Sequence, residues 1–200
     1  MVRFPNTFIG YQAGFQNTTG YANLFSGYKS GFSNTSGYGN TAVGYQSLIA
    51  NTSGYQNIAF GESALSGNTT GYGNVAIGYH SLFLNAGIHN IAIGQNAMEG
   101  NTNGSSNIAI GGFALSGNNT GDSNIAIGLW ALSDNTTGWG NTALGSHSLD
   151  DNTLGRGNTA IGSGAMVNNT LADWNTAVGA NSLHANTTGE NNVAFGNEAM

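Results

Sequence analysis

The sequence predicts an all-β chain, a parallel β-solenoid in which about twelve units of 17 residues each wrap once around a common axis. Three observations carry this. An Asn recurs at 6, 23, 40, 57, 74, 90, 107, 124, 141, 158, 175 and 192, so every step is 17 residues except the 16 from Asn74 to Asn90. A Gly stands four places after each of them, from Gly10 to Gly196, without exception. Each unit also opens on a short uncharged segment rich in β-branched residues, and most close on a polar turn containing Gly. A fixed short period with nothing left over marks a repeat architecture and overrides the one or two globular domains that 200 residues would otherwise imply.

With the leading Asn as position 0, position 1 is Thr, Ile, Val or Leu, position 2 is Ala in all units but those of Phe8 and Phe25, and position 3 is mostly Ile, Val or Phe. Such residues suit a pleated surface, and a period of two puts positions 1 and 3 on one face with Ala and Gly on the other. Neither face is charged in any unit, the pattern of a strand covered on both sides. A second β segment is expected at positions 7 and 8, Ser or Ala and then Leu or Met, as in Ala64-Leu65. The first two units have Gly14 and Gly31 at position 8, where Phe15 and Phe32, one place on, are expected to replace the missing Leu. The unit closes through Asn-Thr-Thr/Ser-Gly, in which Asn caps its own turn and Gly takes positive φ. In one coil the recurring structural set is thus Asn57, Ala59, Gly61, Leu65, Asn68 and Gly71. Helix is excluded, because every unit carries Gly, β-branched residues and a turn signal.

Stacked coils bring like residues roughly 4.8 Å apart along a rod on the order of 55 Å long, and a file of Asn can share amide hydrogen bonds between coils. One Ile/Val column and one Leu/Met column make a thin interior and leave the Ala/Gly face over. That face, with Ala76, Ala92, Ala109 and Ala126, is read as a subunit interface, since small residues let backbones approach closely. Residues 1–5 form a lead-in and residues 6–200 a single array, whose stop in mid-unit at Met200 points to a fragment of a longer fibre.

Charged residues are 6% of the chain and sum to -6, so no basic face awaits a phosphate backbone and nucleic acid is not an expected partner. A content of 39% hydrophobic residues in strict register exceeds what a disordered chain carries, despite 33 Gly. Without Cys there is no disulfide, thiolate metal site or thiol nucleophile. No run approaches the roughly 18 apolar residues of a membrane span, and Met1-Val2-Arg3-Phe4-Pro5 leads into the first repeat without a signal core. Membrane insertion is therefore not expected.

The Asn-x-Ala-Ile/Val-Gly-x-x-Ser/Ala-Leu unit, as in Asn107 to Leu115, resembles the head repeat of trimeric autotransporter adhesins. The full unit with Asn-Thr-Thr-Gly resembles arrays in bacterial and phage proteins described as having tail-fibre domains. The resemblance implies a left-handed β-roll, three chains side by side, and an extended fibre on a cell surface or virion that binds a host, a matrix or a neighbouring cell.

All Tyr lie in two columns, Tyr11, Tyr28, Tyr45 and Tyr79 at position 5 and Tyr21, Tyr38, Tyr55 and Tyr72 at position 15. They are the candidate receptor-facing residues, offering rings to a glycan; the plainer reading is that stacked aromatics stiffen a sheet edge. His80, His89, His147 and His184 do not converge as three or four metal ligands should. Asp134 and Asp151 share position 10 on neighbouring coils with Asp150 beside them, a group that could hold Ca²⁺ if carbonyls complete the shell and that comes nearest to a glycosidase pair, against the simpler reading of solvated acids in a turn. No Ser, His and acid share matching columns, so neither catalysis nor a cofactor is expected. Sequons such as Asn17-Thr18-Thr19 recur only because the turn does. The composite expectation is a non-enzymatic fibre, extracellular, cell-surface or virion-borne, with itself and a surface glycan or receptor as partners. The alternative is an ice-binding solenoid using the turn threonines Thr18-Thr19, Thr69-Thr70, Thr136-Thr137 and Thr187-Thr188.

Overall fold

The computed structural model describes residues 5–200, so the expected lead-in lies outside the described residues but for Pro5. Twelve three-residue strands, from β1 (Thr7–Ile9) through β7 (Ile108–Ile110) and β8 (Ile125–Ile127) to β12 (Val193–Phe195), make one parallel sheet in chain order. The result is a β-solenoid of about eleven turns, with no helix among the described residues. Equivalent residues pair throughout, as Ala109 does with Ala126. The short unit keeps that register, pairing Val75 with Ile91 and Ala76 with Ala92, because its deletion falls in the turn.

The faces of the strand are reversed from the expectation. Ala76, Ala92, Ala109 and Ala126 are fully buried inside their own chain, so they are not a subunit interface. Positions 1 and 3 instead point outward, as Ile125 and Ile110 do. A 17-residue coil is narrow, and its interior is already filled by the position-7 Ala or Ser and by Leu48, Leu65, Leu82, Met98, Leu115, Leu132, Leu149 and Met166. Only a methyl fits opposite them.

Positions 7 and 8 are turn and not strand. Ala114 N–H donates to Gly111 O at 3.3 Å, and Leu115, at φ 53°, turns its N–H to Ala131 O of the next coil at 2.9 Å. The left-handed backbone costs a non-Gly residue about 1–2 kcal/mol, which the inter-coil hydrogen bond and the burial of Leu115 offset. The replacement of the missing Leu also differs. Phe25 fills its space fully buried, whereas Phe15 stands exposed outside the coil.

Two files of buried Asn run beside this apolar column. Asn57 Nδ2 crosses the interior to Gly71 O at 2.9 Å and its Oδ1 accepts Asn74 N–H at 3.0 Å. Asn68 Nδ2 reaches the same Gly71 O at 3.1 Å and Asn51 Oδ1 of the preceding coil at 2.9 Å. Each side chain thus both braces its own coil at Gly71 O and ties it to a neighbouring coil, and no buried side-chain polar atom among the described residues lacks a partner. This is how a polar core avoids the desolvation penalty of unpaired amides. Gly71 is not in the left-handed region as expected for the turn; a Cβ there would strike Asn68 Oδ1 and come 2.6 Å from Gly87 O. Gly61 is the residue that needs positive φ, at +139°, where it packs onto Gly78 O.

Candidate functional surfaces

Since small residues are drawn inside, the larger apolar ones are left outside. Ile58, Phe60, Ile77, Ile110, Ile125, Leu144 and Ile161 are exposed on one outward sheet face, among Thr41, Thr142, Thr159 and Thr176. No charged residue stands at positions 1 or 3 of any coil. An apolar strip of this kind is more than scattered single hydrophobic side chains on a surface.

The tyrosines form two ladders. Tyr21, Tyr38, Tyr55 and Tyr72 stack at 5.0, 4.9 and 4.6 Å between ring centroids, and His89 meets the end of the file edge-on. Tyr11, Tyr28 and Tyr45 stack at 5.5 and 5.2 Å; Glu62 then interrupts the file, and Tyr79 stacks on His80. Within each ladder the ring faces cover one another, so edges and hydroxyls are what face solvent. Burial, with the neighbouring phenols of Tyr72 and Tyr38, holds the Tyr55 phenol above its ordinary range.

Of the turn threonines at position 12, Thr18 donates its hydroxyl to Thr35 O at 2.9 Å and Thr136 to Thr153 O at 2.9 Å, whereas the hydroxyls of Thr69 and Thr187 make no such bond among the described residues. The second Thr of each pair, such as Thr70 and Thr137, is exposed.

His147 Nδ1 lies 2.6 Å from Asp150 Oδ2, and Ser133 donates to Asp150 Oδ1. Asp134 accepts from Ser133 at 3.2 Å, while the Asp151 carboxyl is pushed above its ordinary value by burial and by Asp150 and Asp134. His80 Nδ1 lies 3.5 Å from Glu99 on another part of the rod. Among the described residues no three His, Cys, Asp or Glu side chains converge as metal ligands.

One cluster escaped the sequence reading. Arg156 and Asp173 lie 17 residues apart in the same column, and Arg156 Nε donates to Asp173 Oδ2 at 2.8 Å. Beside them Trp139 and Trp174 meet edge to face at 5.8 Å, with the Arg156 guanidinium 5.7 Å from the Trp139 ring. The 17-residue spacing of opposite charges was a legible signal for the ion pair; the placement of Trp174 was not, since it depends on Gly157 offering no side chain beneath it. Scans against protein-family models, curated proteins and solved structures each find no match, and what the chain does is inferred from its own geometry.

Proposed function

We propose that the chain is a non-enzymatic structural fibre segment, extracellular, cell-surface or virion-borne, whose rods pack side by side with copies of themselves. The outward face carries this reading: it is uncharged on all twelve strands, and Ile58, Ile110, Ile125 and Phe60 stand on it exposed to water. A second copy offers the same ridges at the same spacing of roughly 4.8 Å, so two faces interdigitate without any new feature. Three such chains around a common axis is the arrangement implied by the resemblance to adhesin heads. The Tyr ladders, on other columns, remain free to meet a surface through their edges and hydroxyls. Electron micrographs of the material as it occurs test this reading: bundled rods about 55 Å long per chain, or filaments of them, are expected. Isolated particles of single-chain width would contradict it.

A further inference from the structure

We propose that Trp139, Trp174 and Arg156 form a binding site for a carboxylate-bearing pyranose, a uronic or sialic acid residue of a glycan. In a chain of net charge -6, Lys29 and Arg156 are the only Lys or Arg among the described residues. Arg156 is oriented and not used up. Its Nε donates to Asp173 Oδ2 at 2.8 Å and its backbone N–H to Asp173 Oδ1 at 2.9 Å, which leaves both Nη groups without a protein acceptor among the described residues. The Arg156 side chain is 50% exposed and its Asp173 anchor 15%. A guanidinium held by Nε presents its remaining N–H groups as a fork matched to a carboxylate.

The aromatic half of the site is a corner. Trp139 and Trp174 meet at 79°, the Arg156 guanidinium lies over the Trp139 ring, and the indoles remain 44% and 50% exposed. Trp174 lies against Gly157, where a Cβ would collide with its six-membered ring. Gly140, the equivalent residue one coil earlier, has no atom within 4 Å of where its Cβ would be. Trp174 therefore covers Gly157, while the space over Gly140 beside it stays open, floored by backbone. A pyranose has an apolar C–H face for the half-exposed Trp174, and the guanidinium that lies over the neighbouring Trp139 ring is close enough for one sugar to touch both. A neutral sugar leaves the fork empty, and an acidic peptide brings a carboxylate without the flat C–H face. The inner rings of the Tyr file, Tyr38 and Tyr55, offer no such open face, because stacked neighbours cover them on both sides. The site is built from columns 15 and 16 and uses no residue of positions 1 or 3, so it does not rest on side-by-side packing of rods.

The test is titration of the intact chain with sialyllactose, a glucuronic acid disaccharide and lactose, followed by saturation-transfer NMR and indole fluorescence. Saturation of ring protons in one or both acidic sugars is expected, and the tighter of the two names the source. Lactose should bind at least about tenfold more weakly, and Trp174→Ala and Arg156→Lys should each lower affinity for the acidic sugar by about tenfold or more. Tyr38→Ala should leave it unchanged. Because Trp174 is half exposed and Arg156→Lys keeps the charge beside Asp173, both variants should melt like the parent. Equal binding of lactose, affinity untouched by either substitution, or binding of a Glu-rich peptide with none of the sugars would overturn the proposal.

Discussion

Phe25 occupies the space that Gly31 leaves empty. Phe25 is fully buried, and a Cβ on Gly31 would lie 2.6 Å from its ring. Three coils later Ala76 and Leu82 fill the same cross-section between them. The two pairs are alternative ways of packing one volume. Phe25→Ala alone should cost about 3–5 kcal/mol through the cavity it opens, and Gly31→Leu alone should overpack the coil by a similar order. The double variant should recover to within about 1 kcal/mol of the parent, because Leu48, in the next coil, already holds the same left-handed backbone with its side chain buried. Urea denaturation of the four proteins checks this; additive losses would contradict shared packing.

The Asn files make a second prediction. Asn118 Nδ2 donates to Asn101 Oδ1 at 2.6 Å and to Gly121 O at 3.0 Å, and its Oδ1 accepts from Asn135 at 2.8 Å. Asn118→Leu keeps the branched outline of the side chain, in a somewhat larger volume, and removes all three, stranding amides above and below. A loss of about 3–5 kcal/mol is expected, read as a fall in melting temperature. A neutral outcome would mean that the ladder is incidental.

Glycine at two places in the coil should respond differently. A Cβ on Gly111, at φ +135°, would come 2.5 Å from Gly128 O, backbone that cannot yield without separating coils. Gly111→Ala should therefore prevent folding or cost several kcal/mol, on the order of the largest single-residue effects. Gly140, at φ +67°, faces open space, and Ser106, His89 and Trp174 take that conformation at equivalent positions. Gly140→Ala should cost only about 1–2 kcal/mol. Circular dichroism melts of the pair decide it, and equal losses would refute the assignment.

These contrasts show what the sequence could and could not disclose. The Asn landmarks and the Gly four residues on told the period, the coil and the register, because a residue such as Gly111 tolerates no substitute wherever two coils touch. Which face turns inward was hidden. Hydrophobicity ranks Ile110 above Ala109 for burial, but the coil also bends through left-handed residues such as Phe113 and Leu115, and the lumen they enclose admits only the methyl of Ala109. Strand identity at Ala114-Leu115 failed for the same reason, since φ 53° at Leu115 is unreadable from a Leu. The Tyr files were visible as columns, yet that their faces are mutually covered follows only from the stacking distances.

Asp151 gives a pH dependence. Burial first, then the charges of Asp150 and Asp134, hold its carboxyl above the ordinary value in the folded chain. A raised folded-state value favours folding while the group is protonated, and this contribution is lost as pH rises from the ordinary carboxyl range through the raised value. Asp151→Asn removes that loss. The variant should melt slightly higher than the parent at neutral pH and coincide with it at about pH 3. The effect is small because Asp151 is exposed to solvent. Calorimetry at the two pH values reads it, and a parent more stable than the variant at neutral pH would reverse the sign.

Sedimentation equilibrium of the parent chain beside Ile110→Lys/Ile127→Lys and Ala109→Asp tests side-by-side packing most directly. Ile110 and Ile127 pair in register on the outward face, while Ala109 is fully buried on the inward face of the same strand as Ile110. The parent should sediment as a multimer, the double Lys variant as a monomer with unchanged β-type circular dichroism, and Ala109→Asp should lose its fold. A parent chain that sediments as a folded monomer at micromolar concentration, or a double Lys variant that still assembles, would contradict association through this face.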